Sequence, residues 1–259
     1  MNNMYNDVAT NPILQSVLTE QPYPLLFTTI SGAHLFGFPS HDSDYDLRGV
    51  HILPVNDLLG LHGLTETIDR TWMKEGLEID LVTHDVRNFF LLILKKSGNV
   101  IERIMSPLVM QTTAEHEELK AIIPETLTVH HAHHYFGFSR KKWGEFSNSK
   151  PIAKALLYTY RTLLTGIHLM KTGEIESNLI YLNDVYKLPY IPDLIDAKLS
   201  GDEKGILQEA DIEFHTQEYE RVTQMLRQAQ ENSHLPEHPQ GKDELNDLLI
   251  RIRRKYGEN

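Results

Sequence analysis

Cysteine is absent from this 259-residue chain, which excludes disulfides, thiolate nucleophiles and cysteine-based zinc or iron–sulfur sites. Long apolar runs are missing too. The longest, Phe89–Leu94, is far short of the roughly 20 residues of a membrane-spanning helix, so no membrane partner is expected. Met1–Asn11 is polar, with neither a basic start nor an apolar middle. It does not read as a secretory signal, and a cytoplasmic location is the expectation. Positive charge is scarce: 25 Lys and Arg face 36 Asp and Glu, for a formal charge of −11. That balance argues against a surface that coats long stretches of nucleic acid. What is present, 41% hydrophobic and 24% charged residues, suffices for an ordinary core and a mixed α/β composition.

The two halves of the chain differ in texture. Leu25–Ser31, Asp46–Leu53, Thr65–Trp72 and Leu77–Thr83 are short β-branched or aromatic runs bounded by Gly, Pro, Asp and Ser, and read as strands. Asn11 with Pro12 opens a helix running to about Glu20, and Asp85–Lys96 carries a helical apolar face. From about Glu115 the strand signals vanish. Pro151–Lys171 has helical spacing and stops at Gly173, and Asp202–Glu231 and Lys242–Tyr256 are further helices separated by an exposed connector. The expected class is α+β in two lobes, residues 1–118 and 119–259, with the boundary falling somewhere in 110–128.

The chemistry concentrates in Ser31–Val50, SGAHLFGFPSHDSDYDLRGV. Ser31 and Gly32 leave a strand, and Gly32 and Gly37 allow close backbone approach, so exposed amides there can cradle phosphate oxygens. Asp44 and Asp46 follow at i and i+2 at the start of the next strand, where alternate residues share a face. Two carboxylates so close call for a cation, and oxygen-ligated Mg²⁺ suits them. Asp80, between apolar Ile79 and Leu81 with Glu78 on its own face, supplies a third acid if its strand is a neighbour. Three converging carboxylates can hold two metal ions about 3.5–4 Å apart for in-line phosphoryl displacement. The bland reading of Asp42–Asp46 is a solvated turn; the glycine loop upstream and the isolated acid downstream weigh against it.

Other residues admit two readings each. Arg48 shares the face of Asp46 and either neutralises the acids in a structural salt bridge or touches phosphate. His34, with Phe36 and Phe38, lines the glycine loop and either meets nucleotide or stabilises the loop. Lys154, Tyr158, Arg161 and Thr165 form one stripe of a helix, either a clamp for a triphosphate or a solvated face around a buried Tyr. Arg140, Lys141, Lys142 and Trp143 form a compact basic-aromatic cluster that reads as a solvated run or a grip on a nucleic-acid end. Arg251, Arg253, Arg254 and Lys255 suggest a surface contact, and His130, His131, His133 and His134 a surface helix start rather than a metal site.

The pattern Gly32-Ala33-x₃-Gly37 followed by Ser43-Asp44-Tyr45-Asp46-Leu47 resembles the signature of the DNA polymerase beta superfamily of nucleotidyltransferases. The longer string through Arg48-Gly49-Val50, with His84–Arg87, Lys95–Glu102 and Lys154–Gly166, is similar to a bacterial and phage branch of that superfamily, over about residues 23–175. The resemblance implies a small mixed sheet flanked by helices, followed by a helical domain. It implies that Asp44 and Asp46 ligate two Mg²⁺ ions (or Mn²⁺), and that Asp80 ligates one and helps deprotonate an attacking hydroxyl. It also implies that the glycine loop, with Gly32, Ala33 and Gly37, holds the triphosphate of an NTP, with ATP the expected donor. Many members carry Ser where this chain has Ala33; Ser31 or the Ala33 amide would then serve the phosphate. The expected activity is transfer of a nucleoside monophosphate to an acceptor hydroxyl, an RNA or tRNA end among the candidates, with release of pyrophosphate. The competing classes are a non-catalytic nucleotide-binding or regulatory module and an interaction protein of the toxin–antitoxin kind.

Overall fold

A computed structural model of the chain describes residue 8 and residues 10–61, 65–148, 152–200 and 209–256. The chain divides into two compact units. One comprises residues 1–35, 43–126 and 238–259; the other comprises residues 36–42 and 127–237. Among the described residues, no helix is long and apolar enough to cross a membrane.

The first unit is built on a five-stranded mixed sheet. Its strands are β1 (Leu25–Ile30), β2 (Tyr45–His51), β3 (Thr67–Lys74), β4 (Leu77–Asp85) and β5 (Val109–Gln111). Their spatial order is β3-β4-β2-β1-β5. Only β2 and β4 run parallel; the other pairs are antiparallel. All six residues of β1, LLFTTI, are buried, as befits an interior strand covered on both faces. On β4, Ile79, Leu81, Thr83 and Asp85 are buried while Glu78, Asp80, Val82 and His84 are not, a period of two that leaves one face of the sheet partly open.

Helices of this unit cover the core. In α1 (Pro12–Thr19) the Asn11 carboxamide oxygen accepts from the amides of Ile13 and Leu14, and Leu14, Val17 and Leu18 are buried. After α2 (Gly32–Phe36) and α3 (Val55–Leu59), α4 (Val86–Leu94) starts on the side chain of Asp85, which accepts from Arg87 N at 3.0 Å. It buries Val86, Phe89, Phe90 and Ile93, with Phe89 edge-on to Phe27 at 5.6 Å. Helices α5 (Gly98–Ile104) and α6 (Ala114–Thr126) follow.

The C-terminal helix also belongs to this unit. Lys242–Tyr256 forms one helix, as its spacing predicts, and buries Leu245, Leu248 and Ile252. It packs on α4 and α6. Arg254 is exposed, whereas three other basic residues of the helix pair within the unit. Arg253 donates to the Leu53 carbonyl (2.9 Å) and to Asp85 Oδ1 (2.5 Å), Lys255 pairs with Glu115 (2.6 Å), and Arg251 pairs with Glu118. Asp85 is fully buried, so the Arg253 pair is a desolvated one. The sequence reading groups residues 119–259 as one lobe; the contacts instead place 119–126 and the last helix with the sheet.

The second unit is helical. Its helices are α7 (Ala132–Asn148, after a 3₁₀ turn at Val129–His131), α8 (Ala153–Thr172), α9 (Leu179–Tyr186), α10 (Ile191–Leu199) and α11 (Glu209–Glu231). Helix α8 lies at the centre, buried along nearly its whole length, with the other four packed on it. Of the predicted Asp202–Glu231 helix, residues 202–208 lie outside the described residues, and the remainder forms α11. His131 differs from the surface setting expected of the histidine cluster. It is buried, its Nδ1 accepting from the Thr128 amide at 3.1 Å, whereas His130 stacks with exposed His133. Trp143 stacks on Tyr219 at 4.5 Å, and Lys142 pairs with Glu145 over the ring of Tyr158.

Candidate active site

Strands β2 and β4 pair in a register that sets Asp46 directly beside Asp80, Arg48 beside Val82, and Val50 beside His84. Parallel neighbours in register project to the same side, so both acids stand on the partly open face of the sheet. Between them lies the guanidinium of Arg48. Its Nη2 donates to Asp46 Oδ1 and to Asp80 Oδ2 (2.7 Å), and its Nη1 donates to the carbonyls of Asp80 (2.6 Å) and Leu47 (3.0 Å). Asp80 also accepts from Thr71 Oγ1 across β3 at 3.4 Å. All three charged side chains are largely withdrawn from water: 12% of the Arg48 side chain is exposed, 17% of Asp46 and 25% of Asp80.

Gly32 is fitted to Asp46. It sits at φ +62°, and a Cβ there would lie 1.8 Å from Asp46 Oδ2. The turn is tied to the acid's backbone as well, because Ser31 N donates to the Asp46 carbonyl at 2.8 Å. A glycine followed fourteen residues later by an aspartate is therefore one local arrangement: the absence of a side chain at 32 makes the space into which the carboxylate fits. Ala33 is buried, and His34 stacks on Tyr45 at 4.6 Å.

Asp44 lies one residue ahead of the strand that carries Asp46. Strand β2 begins at Tyr45, so Asp44 precedes it and the alternation rule does not fix its direction. Its charge still reaches Asp46. Burial, with Asp44 and Asp80 adding to it against the pull of Arg48, pushes the Asp46 carboxyl up to about 6. Among the described residues, no three His, Asp or Glu side chains are grouped so as to hold a metal ion in this conformation. What the structure does bring together is a pair of carboxylates sharing one cationic group.

Two further residues are coupled to this group, and the sequence reading assigns neither of them a site role. His84 accepts or donates at Nδ1 with Thr67 Oγ1 (2.9 Å), and burial together with the charges of Arg103 and Arg48 pushes its imidazole down to about 4, leaving it neutral at pH 7. Arg103, on α5, is lowered to about 10 by burial and by Arg48, against the attraction of Glu102, Asp46 and Asp80. Its backbone carbonyl accepts from Thr29 Oγ1 (3.2 Å), and Thr29 pairs with Arg48 in the sheet. The i, i+2, i+4 alternation of Asp80, Val82 and His84 carries a signal for His84; nothing in the sequence points to Arg103.

Gly37, Lys154, Tyr158 and Arg161 belong to the helical unit, and so does the segment Phe36–Asp42. A Cβ on Gly37 would lie 2.7 Å from the Asn178 side chain. Arg161 is buried with its guanidinium 4.0 Å from the ring centre of Phe36, and Tyr158 is edge-on to Phe36 and Phe38. Lys154 is exposed. Lys198, also buried, donates to the Phe38 carbonyl (3.0 Å) and to Ser40 Oγ (2.9 Å), fixing this segment within its unit. The helical stripe thus runs from an exposed Lys154 to a buried Arg161 and Thr165, a gradient rather than one uniformly solvated face.

The family described as RlaP, RNA repair pathway DNA polymerase beta family, matches residues 7–251. Uncharacterized protein MJ0002 of Methanocaldococcus jannaschii is 31% identical over 160 residues, covering 59% of this chain and 63% of the relative, so the match spans less than two thirds of that protein. Uncharacterized protein YcgL of Bacillus subtilis is 23% identical over 248 residues, covering 89% of this chain and 91% of the relative. Among solved structures, a nucleotidyltransferase-like protein from Exiguobacterium sibiricum is similar, with a TM-score of 0.34 and 13% identity, covering 96% of this chain and 80% of that one.

Proposed function

The chain belongs to the RNA repair pathway DNA polymerase beta family, within the polymerase beta superfamily of nucleotidyltransferases, and from that premise we propose that it transfers a nucleoside monophosphate from an NTP to an acceptor hydroxyl. The observation that carries this reading is the in-register pair Asp46 and Asp80, both directed at one cationic group, with Gly32 shaped around the Asp46 carboxylate. The pair fits a divalent cation on chemical grounds: hard carboxylate oxygens, partly desolvated, already gathered about a positive charge. Asp46 and Asp80 would hold Mg²⁺ or Mn²⁺, with Asp44 the acid nearest in sequence to complete the set. Bound divalent ions supply charge neutralisation at the α-phosphate and on the departing pyrophosphate.

The protein's own groups account for the rest. In the transfer, the acceptor oxygen bonds to the α-phosphorus, the bond from that phosphorus to the α–β bridging oxygen breaks, and the hydroxyl proton passes to a base. We assign Asp80 as that base. Its flank of Thr71 and the neutral His84 provides hydrogen-bonding groups for an acceptor on the open sheet face. Arg103, whose charge is felt by Asp46 and Asp80, adds positive potential near the pair, suited to a phosphate of the substrate or acceptor. ATP is the donor we propose, and the family description favours an RNA end as the acceptor. An acidic chain with few basic residues suits a confined end rather than a long duplex track.

The test is incorporation of label from each of four α-labelled NTPs into RNA, protein and small-molecule pools, with Mg²⁺ or Mn²⁺, comparing wild type with Asp80→Asn. Label that requires both the metal and Asp80 supports the transferase. Nucleotide binding without any labelled product, unchanged by Asp80→Asn, favours the non-catalytic module.

A further inference from the structure

We infer that Arg48 is an internal counter-cation for the acidic pair, which a divalent metal must displace, and that its guanidinium then becomes a ligand for the nucleotide's phosphates. The inference rests on the reading of Asp46 and Asp80 as the metal-binding acids. One nitrogen, Nη2, contacts both carboxylates, while Nη1 is held by the carbonyls of Asp80 and Leu47. The guanidinium thus stands where a shared cation would contact Asp46 Oδ1 and Asp80 Oδ2. Both cannot occupy those oxygens. Two like-charged carboxylates left together in a largely water-free place would repel, so each cation stabilises the pair and excludes the other.

Displacement leaves a planar, permanently charged fork beside the metal, and its preferred partner is then a phosphate oxygen. Metal and triphosphate are therefore coupled through one side chain. Metal alone competes with Arg48, whereas an arriving triphosphate offers the guanidinium a new anion and frees the acids. The coupling is reciprocal, as binding linkage requires. The protein is accordingly a poor metal binder until nucleotide arrives. Arg48 also blocks Asp80 as a proton acceptor until that moment, because Asp80 Oδ2 accepts from Nη2.

The experiment is Mn²⁺ titration of the full-length protein by calorimetry, with free Mn²⁺ followed in parallel by electron paramagnetic resonance. Wild type, Arg48→Gln, Arg48→Lys and Asp46→Asn are each titrated with and without a non-hydrolysable α,β-methylene ATP analogue. Losing a charge-assisted competitor should tighten binding of Mn²⁺ alone in Arg48→Gln by about ten- to hundredfold. The analogue should tighten Mn²⁺ binding more in wild type than in Arg48→Gln, by about the same factor. Arg48→Lys keeps the charge, loses the fork, and should lie between the two. A thermal melt with and without Mn²⁺ checks that each variant is folded, and the metal-induced rise should be larger in Arg48→Gln than in wild type. If Asp46→Asn abolishes Mn²⁺ binding but Arg48→Gln and Arg48→Lys bind the metal no tighter than wild type, the counter-cation role is overturned and the metal site stands. If no form binds Mn²⁺, even with the analogue, both this inference and the metal-dependent reading fall.

Discussion

Replacing Gly32 by Ala separates backbone strain from damage to the acidic pair. At φ +62° an L-residue costs about 1–2 kcal/mol relative to glycine. The new methyl would also begin 1.8 Å from Asp46 Oδ2, so that oxygen must retreat by about 1.6 Å to reach an ordinary 3.4 Å contact. Gly76 provides the control. It lies in the two-residue turn between β3 and β4, where Glu75 and Gly76 both have positive φ, and a Cβ there meets nothing within 4 Å. Gly76→Ala should therefore show the backbone cost alone, lowering Tm by roughly 2–8 °C. Gly32→Ala should lower Tm further. It should also cut metal-dependent nucleotide transfer by about a hundredfold or more, since a misplacement of about 1 Å at a reacting centre has that scale of effect. Circular dichroism, thermal melts and label incorporation read the three quantities on both variants. Equal Tm in the two, or transfer by Gly32→Ala within a few fold of Gly76→Ala, would refute the close fit of Gly32 to Asp46.

Other consequences follow from groups away from the acidic pair. His116 is fully buried, stacked on Phe27 at 4.0 Å, and burial pushes its imidazole from 6.5 down to about 4. Because the folded value is the lower one, stability is complete above about pH 6.5 and is lost as pH falls toward 4. At pH 5 the loss from this residue is about 2 kcal/mol, so melts at pH 7 and pH 5 should converge in His116→Gln relative to wild type. Arg253→Met leaves the buried Asp85 without its ion partner and should destabilise the first unit by about 3–5 kcal/mol, with Asp85→Asn restoring part of the loss in the double variant. Lys198→Met removes the donor to the Phe38 carbonyl and Ser40, and should raise amide exchange in residues 36–42 while leaving α8 protected.

How much of this was written in the sequence varies by element. The strands with dense β-branched runs, and the helices with a clear apolar stripe such as Lys242–Tyr256, were legible to within a residue or two, because local burial alone decides them. The three-residue β5 and the short helices of both units carry too few residues for a periodic signal. The company kept by the last helix was not legible at all, because Arg253 and Asp85 are joined by a desolvated ion pair across 168 positions of sequence. Within the site, strand alternation does bring Asp46, Arg48, Asp80 and His84 to one face. It does not govern Asp44, which precedes the strand. Arg48 was open to two readings from sequence; the structure shows the ion pair with both acids, and the phosphate role enters only as its consequence. Arg103 feels the charge of both acids from a separate helix, a relation that no spacing along the chain encodes.

Anomalous diffraction from crystals grown with Mn²⁺ and the non-hydrolysable nucleotide shows where the metal and the Arg48 side chain sit. The expected result is a manganese peak within about 2.0–2.4 Å of one oxygen each from Asp46 and Asp80, with the Arg48 guanidinium moved onto a phosphate. Bound nucleotide with no metal at those oxygens, or with Arg48 still paired to both acids, would contradict it.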